Sequence, residues 1–314
     1  MVGDKRELTA KTSEAAWGRY KGGLITALCW AVFVCVNAAP AIAQESQAGN
    51  IPLLISDHHA DHGVFFLRRA AFTSINTAVI ILVDAHSDTA LNENRDRVLA
   101  AVSTGDFDTA DTFFHNHNWI HPLSPFLASL VWISGFTVTP QVHPAGDSLY
   151  STAQWGNGGF PAFTQSLNIN RLKDFTFPSD RAGSGSQGLL FISIDLDFFY
   201  LDTYTPADIP SVFDTLFEYS SHWNGEVIWA VCLSRAWLPS DSYAWELLRQ
   251  SLLWFSGKPE FAPPELTLFT KYRDDHSMMF REFHKRGMEA PVFFGRENEM
   301  PDDIRELFNA LAGE

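Results

Sequence analysis

The sequence is organised around residues 77–88, which read TAVIILVDAHSD. The first seven residues form a continuous apolar and β-branched run, which is typical of a strand buried on both faces of a parallel sheet. Three polar residues follow at alternate positions, namely Asp84, His86 and Asp88. If the chain stays extended beyond Val83, the two-residue period of a strand points all three side chains the same way. The segment therefore predicts a buried strand with ligand-type side chains just beyond its carboxyl end.

Similar apolar runs recur along the chain and alternate with segments of helical character. Strands are predicted at residues 51–55, 130–133, 189–194, 227–231, 266–269 and 292–294, and helices at residues 64–72, 208–220 and 241–255. This alternation favours a mostly parallel sheet with helices on both faces. We therefore expect a three-layer α/β/α fold. Residues 51–314 should form one domain, because no linker-like change in composition divides them.

A second acidic motif follows the predicted strand at residues 189–194. Asp195 and Asp197 stand at alternate positions there. Open α/β sheets place their functional sites at the carboxyl ends of the strands, so the two acidic motifs are expected to meet. Carboxylates gathered in one place repel one another strongly unless cations neutralise them. Oxygen and nitrogen ligands without a thiolate suit Mn²⁺ or a similar divalent ion better than a structural zinc.

A histidine-rich turn, DHHADH at residues 57–62, follows the first predicted strand. Its position makes it a source of one more imidazole ligand. A solvated turn could have the same composition, and at most one or two of these histidines could bind a metal.

The composition excludes several classes of protein and partner. Hydrophobic residues make up 46% of the chain, which includes 26 Phe and 10 Trp, so a sizeable core can form and a disordered chain is ruled out. Lys and Arg number 22 against 37 Asp and Glu, and the formal charge is −15. Such acidity argues against nucleic acid and against anionic membrane surfaces as partners. It could instead attract metal ions or a cationic ligand.

The first 43 residues have the features of a secretory signal peptide. A basic flank precedes the uncharged stretch 24–36, and small residues follow up to Ala43. We predict cleavage after Ala43 and a flexible lead-in at residues 44–50. The product would be a periplasmic or secreted protein without stable membrane association. The alternative is an uncleaved anchor, because residues 24–43 are just long enough to span a bilayer.

Taken in order, these motifs resemble those of the arginase/deacetylase (ureohydrolase) superfamily, which implies an arginase-like fold. The most specific elements are Asp-x-His-x-Asp at residues 84–88 and Asp-Leu-Asp-Phe-Phe at residues 195–199. The closer similarity is to an uncharacterised-protein family that includes peptide arginases. That family also has a histidine-rich entry like residues 57–61, an Asn-Trp-Ile segment like residues 118–120, and a strand end like Ser234-Arg235. The resemblance covers roughly residues 51–250.

The resemblance implies a centre of two metal ions, with Mn²⁺ as the expected metal and Zn²⁺ or Fe²⁺ as alternatives. The implied ligands are two bridging carboxylates and one histidine–carboxylate pair for each ion: Asp84 and Asp195 as bridges, His59 with Asp88, and His86 with Asp197. His59 is chosen because it keeps the residues after it in the family register. His58 is the alternative.

The resemblance also implies an activity. Coordination lowers the pKa of water towards about 7, and the resulting metal-bound hydroxide would attack the carbon of a guanidino or amide group. A proton donor for the leaving amine is needed, and among His115, His117 and His121 we choose His117. The chain is thus expected to be an exported hydrolase of non-peptide C–N bonds. Its substrate would be a small molecule or a peptide, arginine-containing peptides included, and the acidic surroundings favour a cationic one.

Two departures from the arginase pattern bear on the substrate. Arginases supply a carboxylate after a late strand to hold the guanidinium group, and the corresponding residues 231–235 contain none. The signal peptide is the second departure, because peptide arginases work in the cytosol. Cys232 within this stretch is expected to be a buried structural thiol rather than a nucleophile.

Two other functions stay open at this stage. One is a single-zinc deacetylase-like amidohydrolase, against which the presence of Asp88 argues because that chemistry needs no equivalent residue. The other is a non-catalytic metal-binding module that keeps the acidic cluster for stability.

Overall fold

The computed structural model describes residues 51–70, 78–134, 141–144, 163–174, 188–200, 203–267 and 300–312. The predicted signal peptide, the lead-in and the strand expected at residues 292–294 lie outside these ranges. Within them, every helix is too short or too polar to cross a lipid bilayer.

Strands and helices alternate along the described parts of the chain. The strands are β1 (Leu53–Ser56), β2 (Ala78–Val83), β3 (Leu127–Ile133), β4 (Gln141–Pro144), β5 (Phe163–Leu167), β6 (Leu189–Asp195), β7 (Glu226–Cys232) and β8 (Glu265–Thr267). The α-helices are α1 (Asp61–Ala70), α2 (Arg95–Ser103), α3 (Phe107–Asp111), α4 (Ile209–Ser221), α5 (Asp241–Ser256) and α6 (Asp302–Ala312). Short 3₁₀ helices include His121–Phe126 and Leu196–Tyr200.

These strands form one sheet in the order β4-β5-β3-β2-β6-β7-β1-β8. Every neighbouring pair is parallel except β4 with β5, which is antiparallel. The prediction of a mostly parallel sheet is therefore confirmed. Strands β2, β6, β7 and β1 are consecutive neighbours, so their carboxyl ends lie along one edge of the sheet. That edge is where sites form in folds of this kind.

The central strands are buried on both faces, and helices cover each face. Phe191 of β6 lies on one face, where its ring centroid is 5.6 Å from that of Phe66 in α1. Trp229 of β7 lies on the opposite face, 6.2 Å from Phe213 of α4 and 5.8 Å from Trp254 of α5. Continuous apolar runs suit such strands because no side of them meets water. The three-layer α/β/α arrangement is confirmed.

Within the described residues, the predicted elements fall on observed ones, with differences mainly at their ends. Helix α1 begins at Asp61, earlier than the predicted start at residue 64, because the histidine-rich turn already belongs to its first turn. Strand β3 likewise begins earlier than predicted, at Leu127. Strands β4 and β5 were not predicted, since QVHP and FTQSL lack a continuous apolar run.

Removal of Phe213 should test the helical layer over Trp229. Phe213 is fully buried, so we expect Phe213→Ala to lower the free energy of unfolding by about 3–5 kcal/mol through lost contacts and a residual cavity. Leu253, in α5, is 48% exposed, and Leu253→Ala should change stability by less than about 0.5 kcal/mol. Urea denaturation measures both variants. Equal losses would show that this layer packs differently.

Candidate metal centre

Three strand ends supply the side chains of the candidate metal centre, and a fourth lies beside them. In the register of β2 with β6, Val83 pairs with Ile194, so the next residues, Asp84 and Asp195, emerge side by side. β1 leads into the turn that carries His59, and β7 ends just before Ser234. We define the candidate metal centre as six side chains, those of His59, Asp84, His86, Asp88, Asp195 and Asp197.

Two groups of candidate ligands share one aspartate. His59, Asp84 and Asp88 form the first group, and Asp84, His86 and Asp197 form the second; within each, one ligand atom per residue lies within 4.8 Å of the others. Asp84 turns a different oxygen to each group. Its Oδ2 lies 3.1 Å from Nδ1 of His59, and its Oδ1 lies 3.6 Å from Nδ1 of His86. A carboxylate placed in this way can bridge two ions.

Some of the polar atoms that face one another in the first group lack hydrogen-bond partners. Nδ1 of His59 lies 3.1, 2.7 and 3.3 Å from oxygens of Asp84, Asp88 and Asp195. Despite these distances, neither this nitrogen nor Oδ2 of Asp84 forms a hydrogen bond of acceptable geometry within the described residues. Oδ1 of Asp197, in the second group, also lacks a hydrogen-bond partner there. Buried polar atoms rarely lack partners. Their convergence and their imidazole and carboxylate chemistry fit a divalent ion such as Mn²⁺.

A tight turn, rather than extended chain, brings the ligands after β2 together. The strand ends at Val83, and the backbone N–H of His86 donates a 2.6 Å hydrogen bond to Oδ1 of Asp84. Asp88 then adopts the left-handed region, with φ of 48°. The expectation of an extended chain beyond Val83 is therefore wrong. The aspartate side chain captures the backbone two residues later, as Asp does in turns.

The end of β6 uses the same device. The backbone N–H of Asp197 donates to Oδ1 of Asp195 at 3.1 Å, and Leu196–Tyr200 continue as a 3₁₀ helix. The other oxygen of Asp195 accepts a 2.6 Å hydrogen bond from the hydroxyl of Ser234. Asp195 thus lies against the first group, at 3.3 Å from His59, but belongs to neither group of three. Its bridging role stays a prediction.

Backbone strain in the described residues is concentrated at this centre. Asp88 and Ser234 are the two non-glycine residues there with positive φ, at 48° and 45°. The left-handed conformation costs a residue with a Cβ about 1–2 kcal/mol. Such strain persists where the surrounding structure requires it, and it clusters at functional sites. Here it accompanies a candidate ligand, Asp88, and the hydrogen-bond donor to another, Asp195.

The charges of the metal-free centre are unfavourable as they stand. Burial, followed by repulsion from Asp195 and Asp84, raises the pKa of Asp197 to about 8. Burial, followed by repulsion from Asp84, raises the pKa of Asp88 to about 6. Burial lowers the pKa of His59, but Asp88, Asp195 and Asp84 outweigh it and hold that pKa well above its usual value. The centre therefore retains protons that a divalent cation could replace.

Neighbouring side chains hold the ligands and their loops in place. Nε1 of Trp119 donates to Oδ2 of Asp88 at 2.8 Å, and Nε1 of Trp132 donates to the backbone carbonyl of Asp84 at 3.0 Å. The guanidinium of Arg235 makes two hydrogen bonds to the carboxylate of Asp57, at 3.1 and 2.9 Å, and both residues are buried. This pair joins the end of β7 to the turn that precedes His59. Because the two charges of this pair bind each other, we assign the pair a structural role in holding the turn.

A cavity of about 330 Å³ opens against the centre. His59, His86, Asp88 and Asp195 reach its wall, and so does His117. His86 is the ligand most open to solvent, with 53% of its side chain exposed. The carboxylates of Asp197 and Asp84, at 3.2 and 3.6 Å from its Nδ1, raise the pKa of His86 to about 12. The candidate metal centre is thus accessible to a substrate from one side.

The structure separates the three histidines considered as proton donors. His117 is exposed and lines the cavity. His115 stacks on His117, with ring centroids 6.0 Å apart. His121 is buried, and its Nδ1 accepts a hydrogen bond from the backbone of Asn92. His117 is placed as a proton donor would need to be, and its role stays a prediction.

Two further sequence alternatives can be compared with the structure. His58 is buried in the same turn as His59, but it belongs to neither group of candidate ligands. Cys232 is fully buried beside Ser234, and burial, followed by the nearby Asp195, raises the pKa of its thiol well above the usual value. A protonated, inaccessible thiol is a poor nucleophile, in line with the structural role expected for it.

Sequence reasoning missed two residues behind the first group. The hydroxyl of Ser193 lies 2.9 Å from Nε2 of His59 and 2.8 Å from Nδ1 of His62. Burial and the neighbouring His59 lower the pKa of His62 well below its usual value, with the backbone of Val231 acting in the opposite direction. A signal for Ser193 does exist in the sequence. It is the single polar residue in the apolar run at residues 189–194.

Comparisons with known proteins add little to this description. No family model matches the chain, and no curated protein does. Among solved structures, the arginase of Helicobacter pylori is similar at 12% identity and a TM-score of 0.36, over 70% of this chain and 76% of that one. A match at this level indicates neither family nor activity. The candidate metal centre is therefore interpreted from this chain's own residues.

Removing one carboxylate should separate repulsion from metal binding. We expect Asp197→Asn to raise the stability of the metal-free protein at pH 8 by about 1 kcal/mol, because one buried charge is removed. The same change should abolish most of the thermal stabilisation that MnCl₂ gives the unaltered chain, because a ligand is lost. Thermal unfolding with and without MnCl₂ measures both effects.

Asp303→Asn is the matched control for that experiment. Asp303 pairs with Arg249, and 53% of its side chain is exposed, so its loss should cost at most about 1 kcal/mol and leave the response to MnCl₂ unchanged. If Asp197→Asn destabilised the metal-free protein and kept the full response, the described charge cluster would not be a metal site.

Proposed function

We propose that the protein is a hydrolase that binds two divalent metal ions, Mn²⁺ in the first place, and cleaves a C–N bond of a guanidino or amide group. One observation carries this proposal. Two groups of candidate ligands share Asp84, lie at the carboxyl edge of a parallel sheet with every member except His86 buried, and face an open cavity. Buried carboxylates at such spacing require cationic neutralisation, and the cavity gives a substrate access to it.

The chain's residues divide the work as follows. His59, Asp84 and Asp88 would hold one ion, and Asp84, His86 and Asp197 the other, with Asp195 beside the first. Bound ions would supply a water molecule with a pKa lowered towards neutrality and would polarise the group under attack. Trp119 holds the Asp88 carboxylate in position through its indole N–H. Ser234 does the same for Asp195 through its hydroxyl.

His117 is the residue we assign to proton transfer. It lies in the cavity wall, apart from the candidate ligands, and an imidazole there can donate a proton to the leaving amine. Trp132 and Trp237 line the same cavity. Their rings provide apolar wall that excludes water from the reacting group and restricts how a substrate can lie.

The cavity also bears on the class of substrate. Among the described residues that line it, the carboxylates are Asp88 and Asp195, and both belong to the candidate metal centre. A guanidinium group would thus find no separate acidic partner in this wall. The cavity therefore suits acylated amines as well as it suits arginine-containing peptides. Export to the periplasm or the medium belongs to the same proposal, and it is supported by the signal-like pattern of residues 1–43.

The activity can be tested with the purified chain and MnCl₂. We expect release of urea from arginyl peptides, with ornithine left as a residue of the peptide, or release of free amine from acylated amines and acylated peptides. Asp84→Ala should lower the rate by at least about 100-fold, because it removes the ligand common to both groups. Asp214→Ala changes a carboxylate on α4 that pairs with Lys258 away from the centre, and it should leave the rate unchanged.

Other results would point elsewhere. If no substrate in the panel yields product, while metal binding gives a large thermal stabilisation, the non-catalytic metal-binding module is supported and the enzymatic proposal fails. Product formation that survives Asp84→Ala would contradict the assignment of the centre.

Metal stoichiometry separates a two-ion centre from a single-zinc amidohydrolase. We expect two Mn²⁺ per chain by elemental analysis after dialysis. His86→Ala should bring this to one, because it removes a ligand of the second group and leaves the first intact. One tightly held zinc ion in the unaltered chain, unaffected by His86→Ala, would favour the single-zinc alternative.

A further inference from the structure

Behind the candidate metal centre, three fully or almost fully buried side chains form a hydrogen-bonded chain. His59 presents Nδ1 to the carboxylates, and its opposite nitrogen, Nε2, lies 2.9 Å from the hydroxyl of Ser193. That hydroxyl lies 2.8 Å from Nδ1 of His62. The exposed fractions of His59, Ser193 and His62 are 1%, 0% and 0%. Burial of this degree makes these side chains depend on one another for hydrogen bonds.

The two imidazoles are also fixed by their packing. The ring centroids of His59 and His62 are 4.5 Å apart, and the ring planes are almost perpendicular. Trp119 lies on another side of His59, with its ring centroid at 5.0 Å. Packing therefore restricts the tilt of the His59 ring. It does not decide which of the two ring nitrogens carries a proton, and hydrogen bonding has to decide that.

Counting the protons leaves one arrangement compatible with a metal ion. A metal needs the lone pair of Nδ1 in His59, so Nε2 of that residue must carry the proton and donate it to Ser193. The hydroxyl of Ser193 has one proton of its own, which it then donates to Nδ1 of His62. In this arrangement Nε2 of His59, the hydroxyl of Ser193 and Nδ1 of His62 all take part in a hydrogen bond. The ring proton of His62 then lies on its Nε2, which has no hydrogen bond within the described residues. The opposite arrangement would put a proton on Nδ1 of His59, where the ion would be.

We propose that Ser193 is a positioning residue that fixes the metal-binding tautomer of His59, with His62 as the acceptor that orients the serine hydroxyl. This inference rests on the proposed function, because it concerns a ligand of the proposed first ion. Partners of this kind on metal-bound histidines are carboxylates, carbonyls or water in many sites. Here a neutral hydroxyl performs the task, so no further negative charge is buried beside the four aspartates.

The main test compares Mn²⁺ affinity in the unaltered chain and in Ser193→Ala, by isothermal titration. Loss of a hydrogen-bonding partner of a ligand typically weakens binding by roughly 10- to 100-fold, and we expect an effect in that range. Ser251→Ala is the matched control. Ser251 is equally buried, its hydroxyl donates to the carbonyl of Leu247 within α5, and its removal should leave Mn²⁺ affinity unchanged.

Two substitutions of His62 test the chain from its other end and do not depend on the folding of Ser193→Ala. The side-chain oxygen of Asn can take the place of Nδ1 of histidine, so His62→Asn should keep Mn²⁺ affinity within about threefold. His62→Leu removes the acceptor and should weaken binding by roughly tenfold. Affinity that falls equally in both would indicate a packing role for His62 and would contradict the inference.

A spectroscopic measurement reads the tautomer directly. In the Zn²⁺-loaded chain, which is diamagnetic, proton–nitrogen correlation of the imidazoles should show His59 and His62 both protonated on Nε2. A proton on Nδ1 of His59, or a Ser193→Ala variant that binds Mn²⁺ as tightly as the unaltered chain, would overturn the positioning role alone. An unaltered chain that binds neither ion would overturn the proposed function and this inference with it.

Discussion

The burial of four aspartates at one edge of a sheet is the constraint on which the rest of the site depends. Asp84, Asp88, Asp195 and Asp197 are all at most 9% exposed. Removing carboxylates from water is expensive, and packing several together adds repulsion. Turns, indole donors and a strained serine hold these groups close where a relaxed chain would separate them. This arrangement destabilises the folded protein without a ligand, and binding of a cation would offset that cost.

The parts of the fold that the sequence predicted are those in which one physical signal dominates. Strands β2, β6 and β7 are buried on both faces and therefore read as continuous apolar runs. Both acidic motifs were placed at strand ends, and the structure brings them together. The reason offered for Asp84, His86 and Asp88 was wrong, however. Alternation in an extended strand and an aspartate-closed turn both bring residues two apart to one side, so spacing alone could not distinguish them.

What the sequence could not predict depends on contacts between distant segments. Ser193 and His62 become partners only because β6 passes beside α1, and neither the apolar run around Ser193 nor the histidine-rich turn that contains His62 indicates this pairing. The role of Trp119 likewise needs the distance between its indole and Asp88, which no local pattern encodes. The two strands at one edge of the sheet, β4 and β5, are short and partly polar, so the continuous apolar run that predicted the central strands is absent there.

The left-handed backbone of Ser234 limits which substitutions this position can tolerate. A β-branched side chain is poorly tolerated at φ of 45°, so Thr, which would preserve the hydroxyl that reaches Asp195, is not a mild replacement there. Gly fits the backbone but brings no donor. Asn accepts the conformation and offers an amide N–H of different reach. The backbone conformation thus disfavours Thr, and the hydrogen bond to Asp195 disfavours Gly. Few substitutions of Ser234 would preserve both.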